Sequence, residues 1–144
     1  MTIPAGMPAC AVIDLDAIRH NVAQLRERAG GRELMAVVKA DGYGHGLLPC
    51  ARAAVRGGAS WLGVAQLSEA LALRAGGVDV PILSWLTVPG DAYPEAVRAG
   101  IDLGISTGWA HCGHLTHLPA RFSLARRVRP HLHVAMIGIG PIQN

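Results

Sequence analysis

The chain's only lysine, Lys39, stands in the segment AVVKADGYGHG (residues 36–46), directly after a run of apolar residues. Apolar neighbours solvate a charged amine poorly, so they favour its neutral form. A neutral amine is a nucleophile, and it forms a Schiff base with an aldehyde. Behind the lysine, Tyr43 supplies a hydroxyl that could donate to a phosphate, and three glycines supply conformational freedom. The residues alone leave a second interpretation open, in which Lys39 only extends its amine into solvent from a strand end.

The elements that must position Lys39 follow from the spacing of apolar residues. Short apolar runs predict buried strands, and apolar residues three or four apart predict helices that end at glycines. Residues 11–16 (AVIDLD) are predicted to form a strand leading into a turn, with Asp16 as the N-cap of the first helix. Ser68 is the predicted cap of a later helix, and KADGYGHG is predicted to be a loop. The buried strands are expected at residues 34–38, 61–65, 81–86 and 101–106, and the helices at residues 18–29, 47–55, 69–75 and 91–99.

The repeat of strand, loop, helix and glycine, at roughly 20–25 residues per unit, predicts a parallel sheet covered by helices. Right-handed crossovers allow either an open doubly wound sheet or an α/β barrel. Short, regular units without a G-x-G-x-x-G segment after the first strand favour a partial (β/α)8 TIM-type barrel. About four units are recognisable where a complete barrel has eight, so we expect either half a barrel or a chain that has been cut short.

Composition narrows the class of protein. Hydrophobic residues make up 51% of the 144 residues and the mean hydropathy is +0.31, which is typical of a globular chain. No apolar run reaches the ~18 residues of a membrane helix, and the N-terminus lacks the pattern of a signal peptide. Three cysteines without metal-type spacing favour a reducing, cytoplasmic setting. Residues 1–102 carry nine Lys and Arg against ten Asp and Glu, so the positive net charge lies in the remainder and does not indicate nucleic-acid binding.

Residues 108–144 depart from the repeat. This segment is rich in arginine and histidine and contains no aspartate, glutamate or lysine. His111, His114 and His117 recur every third residue, so we considered a zinc site and, more broadly, a metal-binding or nucleic-acid-binding tail. A chance cluster is the stronger explanation, and we predict no metal site. We interpret the segment as a tail that is either disordered or translated out of frame.

The segment VVKADGYGHG resembles the pyridoxal-phosphate attachment signature of alanine racemases, with its lysine, tyrosine, histidine and three glycines all in register. The resemblance covers about residues 9–107. Within that range, AVIDLDAIRHNVAQLR is similar to the family's opening segment. Three later segments are similar to its next units, namely WLGVAQLSEALALRAGG, PILSWL and AGIDLGIS.

The resemblance implies that residues 1–107 are the N-terminal part of a barrel that precedes a separate β-rich domain in a head-to-tail homodimer. Pyridoxal 5'-phosphate would be attached to Lys39, Tyr43 would bind its phosphate, and Val37 and Leu83 would line its ring. The activity would be the interconversion of L-alanine and D-alanine, which supplies D-alanine for peptidoglycan.

In the family, the lysine acts as the acid/base group on the D-alanine side, and a tyrosine from the partner's second domain acts on the other face. Neither Tyr43 nor Tyr93 stands in the context of that tyrosine, so this chain is expected to be truncated and its own activity is in doubt. The alternative is a non-catalytic barrel protein that binds pyridoxal phosphate.

Overall fold

The structure, a computed structural model, describes Gly6, residues 9–88, residues 90–104 and the backbone of residues 133–136. In these residues, strands alternate with helical segments. The strands are β1 (Leu34–Val37), β2 (Trp61–Gln66), β3 (Ile82–Leu86), β4 (Ile101–Leu103) and β5 (His133–Met136). The helical segments are α1 (Leu15–Arg28), α2 (Lys39–Gly44), α3 (Leu47–Arg56), α4 (Leu67–Ala75) and α5 (Tyr93–Arg98).

The strands form one parallel sheet in the order β4-β3-β2-β1-β5. From β1 to β4, each strand pairs with the one before it, and right-handed crossovers then place the intervening helices on one face. This arrangement is the wall of a partial α/β barrel and confirms the predicted fold class. Strand β5 lies on the other side of β1, within the segment 108–144, and the sequence pattern did not predict it.

Alternate side chains of the strands pack against the helices. Leu34, Ala36 and Val38 belong to one buried cluster with Leu62 and Val64, and this cluster also contains the inward residues of the helices. Side chains alternate between the two faces of a strand, so this set fixes which face of the sheet the helices cover. The four buried strands that apolar runs predicted are therefore confirmed, although β4 ends at Leu103, and residues 105–106 of the predicted strand lie outside the described part of the chain.

On the opposite face, Met35 and Val37 are buried but stand outside that cluster. Gly63 lies between their strand and β3, and a Cβ there would be only 2.8 Å from Cζ3 of Trp85 and 2.9 Å from Sδ of Met35. Such distances are too short for real contacts, so glycine is required for these two side chains to lie across the sheet.

Two helix starts differ from the sequence prediction. Residues 11–14 form neither strand nor helix, and α1 begins at Leu15 with Asp14 as its N-cap. The Asp14 carboxylate accepts a hydrogen bond of 2.9 Å from the N–H of Ala17, whereas Asp16 lies in the first helical turn. The predicted strand over residues 11–16 and the Asp16 cap are therefore wrong.

The start of α4 also differs, because Gln66 and not Ser68 is its N-cap. The Glu69 carboxylate accepts a hydrogen bond of 3.0 Å from the Gln66 N–H, as in a capping box. The prediction placed the cap two residues too late because serine is the stronger capping residue by type. Here the hydrogen bond from the Gln66 N–H to Glu69 determines where α4 begins.

Arginines link successive units at the end of the sheet where the strands begin. Arg52 of α3 donates to the Gly76 carbonyl after α4, over 2.9 Å. Arg74 of α4 donates to the carbonyls of Ala99 and Gly100 after α5, and also to those of Val78 and Val80 before β3. Each guanidinium thus satisfies carbonyls that the end of a helix leaves without intrahelical partners.

Several expectations concern residues outside the described part of the chain, among them the histidines of the tail and the interpretation of residues 108–144. Within the described residues, no three His, Cys, Asp or Glu side chains are grouped as metal ligands would be. None of the helices in that part combines the length and hydropathy that a bilayer crossing requires.

We expect Arg74→Met to lower the free energy of unfolding by about 2–3 kcal/mol, because it leaves several carbonyls without a charged donor. Arg52→Met, which removes one such bond, should lower it by about 1 kcal/mol. Arg98 forms an exposed ion pair with Glu95, so Arg98→Met should change it by less than about 0.5 kcal/mol. Urea unfolding of the three variants checks the order, and equal effects for Arg74 and Arg98 would contradict it.

Candidate functional site

Lys39 lies two residues after the end of β1 and is partly buried at the edge of the sheet where the strands end. In α/β barrels this edge carries the chemistry, because the loops after the strands converge there. The structure therefore places the candidate nucleophile where such a fold can use it.

The segment predicted to be a loop forms a left-handed helical turn, which we call the lysine turn (Lys39–Gly44). Ala40, Asp41, Gly42 and Tyr43 have φ angles of 53–63° and ψ angles of 37–52°. The left-handed conformation disfavours residues with a Cβ by roughly 1–2 kcal/mol each, and three of these four residues have one. A backbone of this kind persists only where surrounding contacts hold it.

Hydrogen bonds hold the lysine turn to the end of β1 on one side and to the start of α3 on the other. The Gly42 N–H donates to the Val38 carbonyl over 3.0 Å, which ties the turn to the end of β1. The His45 ring donates through Nδ1 to the Gly42 carbonyl over 2.8 Å. The Asp41 carboxylate accepts a 2.7 Å hydrogen bond from the Leu47 N–H at the start of α3. His45 and Asp41 therefore shape the backbone beside Lys39.

Gly42 can be replaced only with strain, because it combines a φ of +63° with close contact to α3. A Cβ at this position would lie 3.0 Å from Sγ and 3.1 Å from Cβ of the buried Cys50. Burial, and to a smaller extent the nearby Asp41 carboxylate, raise the pKa of the Cys50 thiol. Cys50 therefore stays protonated and acts as a packing residue.

Tyr43 lies beside the lysine, with Nζ of Lys39 5.9 Å from the centre of the tyrosine ring. Its hydroxyl is buried and has no hydrogen-bond partner among the described residues. A buried hydroxyl without a partner is unfavourable by about 1–3 kcal/mol, so it is suited to a ligand that brings an acceptor. A phosphate oxygen is such an acceptor, and the aldehyde of pyridoxal phosphate would suit the amine. The two residues therefore fit the cofactor.

The other two predicted site residues share one row of the sheet. Val37 pairs with Gly63, and Gly63 pairs with Leu83, so a position without a side chain separates them. Neither Val37 nor Leu83 belongs to the cluster packed against the helices. Both lie on the opposite face, and Lys39 follows Val37 by two residues at the same edge.

Sequence reasoning missed one residue at this site, Glu69. Its Oε1 atom accepts a hydrogen bond of 3.3 Å from the Asp41 N–H in the lysine turn. The spacing of Gln66 and Glu69 could have identified a capping box, but not a contact with a residue 28 positions earlier in the chain.

A cavity of about 240 Å³ lies away from the lysine turn, between α3 and the segment that leads into β3. It contains none of the four predicted site residues, and its position at the start of β3 places it at the opposite end of the sheet. Its lining residues are Arg52, Val55, Arg56, Gly77, Val78, Asp79 and Val80.

The sequence matches the family described as "Alanine racemase, N-terminal domain" over residues 13–138. This range runs past residue 107, where the resemblance was expected to end. The chain is 62% identical to the alanine racemase of Frankia casuarinae over 109 residues, which is 74% of this chain and 28% of that protein.

Two solved structures have a similar fold. The alanine racemase of a D-cycloserine-producing Streptomyces lavendulae superposes with a TM-score of 0.67 and 53% identity, over 69% of this chain and 26% of that one. The alanine racemase of Bartonella henselae, solved with covalently bound pyridoxal phosphate, gives a TM-score of 0.60 and 35% identity. The superposition covers 67% of this chain and 29% of that one. The chain thus spans between a quarter and a third of the length of the relatives it matches. Because the family match covers well over half of its 144 residues, the chain belongs to the alanine racemase family, in the part that forms the N-terminal domain.

Proposed function

We propose that this chain is the cofactor-attaching part of an alanine racemase, an isomerase that interconverts L-alanine and D-alanine with pyridoxal 5'-phosphate. The observation that carries the proposal is the buried hydroxyl of Tyr43, which has no hydrogen-bond partner in the described part of the chain and lies beside the amine of Lys39. Family membership gives the reaction, and these two groups give the place where its cofactor would bind.

Pyridoxal phosphate, when bound, acts as an electron sink that makes loss of the Cα proton of an amino acid feasible. Lys39 provides the nucleophile that attaches it, because its Nζ atom is the only side-chain amine of the chain. Tyr43 donates its hydroxyl hydrogen to the phosphate. Val37 and Leu83 would contact the cofactor ring on the side that faces the sheet and limit its movement. Their apolar side chains would keep water from that side of the ring.

Inversion at Cα requires a proton to leave one face and another to arrive on the opposite face, so two acid/base groups are needed. We assign one face to the Nζ atom of Lys39. Tyr93 is unsuited to the other, since its hydroxyl donates to the Val88 carbonyl over 2.8 Å and burial raises its pKa. In line with the resemblance, we assign the second group to a tyrosine of the partner subunit's second domain.

That assignment makes the active protein a homodimer whose site is completed across the interface. We place it in the cytoplasm, where its product D-alanine would supply peptidoglycan synthesis. The small-molecule partner is the amino acid alanine, and we expect neither nucleic acid nor a membrane as a partner.

Lys39→Ala should abolish covalent attachment of pyridoxal phosphate, since no other lysine is present. The measurement is borohydride reduction after incubation with the cofactor, followed by peptide mass spectrometry. Lys39→Arg is the matched control for charge, because a guanidinium keeps the positive charge but forms no stable Schiff base. An adduct of undiminished yield in Lys39→Ala would contradict the proposal. Attachment without alanine turnover in the full-length dimer would support the non-catalytic alternative.

Tyr43→Phe should weaken pyridoxal-phosphate binding about tenfold, the effect of one hydrogen bond to a charged acceptor. Without the cofactor, the same change should leave the chain as stable or slightly more so, because it removes a buried hydroxyl that has no partner. Tyr93→Phe is the control, since it removes a satisfied hydroxyl and should lower stability by about 1 kcal/mol without affecting binding. Fluorescence titration and urea unfolding measure the two effects, and equal behaviour of the variants would argue against the assigned role of Tyr43.

A further inference from the structure

The lysine turn has an unfavourable backbone conformation, and it connects the two residues whose relative position matters for the proposed reaction, Lys39 and Tyr43. Ala40, Asp41 and Tyr43 all have positive φ angles, and none of them is glycine. Lys39 precedes this stretch and Tyr43 ends it, so any relaxation of the turn would change the separation of the amine and the hydroxyl. The contacts that hold the turn therefore bear on both groups.

Contacts within the same unit hold only part of the turn. The Asp41 carboxylate and the Asp41 carbonyl accept hydrogen bonds from the N–H groups of Leu47 and Gly46, at 2.7 and 2.9 Å. Both bonds lead forward along the chain to the start of α3. The exposed N–H of Asp41 takes no part in these two bonds and points toward the next unit of the sheet.

Glu69, on the next unit, supplies an acceptor for this N–H. Its Oε1 atom accepts the Asp41 N–H at 3.3 Å, while Oε2 accepts the N–H groups of Ala65 and Gln66 at 3.2 and 3.0 Å. Ala65 and Gln66 are the last residues of β2, and β2 pairs with β1. One carboxylate therefore bridges the ends of two neighbouring strands at the edge that carries Lys39.

We propose that Glu69 is a positioning residue for the site: by holding the Asp41 N–H, it keeps the lysine turn left-handed and fixes Lys39 relative to Tyr43. This inference rests on the proposed function for its effect on the cofactor, but the contact itself does not. Ionised carboxylates accept stronger hydrogen bonds than neutral groups, and two oxygens are needed to serve three donors in two places. Glutamate meets both requirements.

Glu69→Gln separates the two tasks of this side chain. An amide has one acceptor oxygen, and the pair of N–H groups at Ala65 and Gln66 offers it two hydrogen bonds against one at Asp41. The amide NH2 then faces the Asp41 N–H and cannot accept from it. The substitution should therefore keep the cap of α4 and cut the link to the lysine turn. Glu95→Gln makes the same chemical change at an exposed ion pair on α5 and is the matched control.

Three measurements on the full chain test the inference. Amide hydrogen exchange at Asp41, followed by NMR, should be about tenfold faster in Glu69→Gln than in the original protein or the control. The affinity for pyridoxal phosphate, followed by the absorbance of the lysine-linked cofactor, should fall about five- to tenfold. The thermal midpoint should remain close to that of the control, because the helix cap is kept; a merely structural role would lower the midpoint and leave the affinity unchanged.

Unchanged exchange at Asp41 in Glu69→Gln would overturn the inference, whether or not the cofactor binds. Faster exchange with unchanged affinity would also overturn it, since Glu69 would then hold the backbone without consequence for the site. Absence of covalent attachment in the original protein and the control alike would overturn the proposed function instead. The exchange measurement would still report on the Glu69 contact in that case, so the two failures are distinguishable.

Discussion

The geometry of the candidate site depends on one constraint, the left-handed turn that follows β1. Ordinary L-residues avoid this conformation, yet Ala40, Asp41 and Tyr43 adopt it in succession. The turn brings Lys39 and Tyr43, four positions apart, close to each other. The Nζ atom of Lys39 lies 5.9 Å from the centre of the Tyr43 ring. An extended loop would place the two groups farther apart, whereas the helical turn keeps residues four positions apart near each other.

The helices pack against one face of the sheet beneath the turn, and the resulting buried cluster accounts for most of the core among the described residues. On the other face, Gly63 lies between Val37 and Leu83 in one row and leaves room for Trp85 and Met35. A larger side chain there would meet both of them and disturb this packing.

Apolar periodicity predicted strands β1 to β4 and most helices, because burial against one layer of helices imposes a regular pattern on the sequence. It failed where polar contacts decide the outcome. Asp14 caps α1 in place of Asp16, since the Ala17 N–H lies within its reach, and Glu69 sets the start of α4 two residues before Ser68. The handedness of the lysine turn could not be predicted from its two glycines alone, because non-glycine residues share it. Its contact with Glu69 joins residues far apart in sequence, which no local pattern reports.

The arginine links at the other end of the sheet have a consequence for how such a protein can change over time. Arg52 and Arg74 each join a helix to the turn after the next one, so neighbouring units are fastened to each other where the strands begin. That fastening does not involve the edge where Lys39 lies. Insertions or exchanges of loops at the lysine edge would leave the links intact, so that edge can vary in sequence while neighbouring units stay joined where the strands begin.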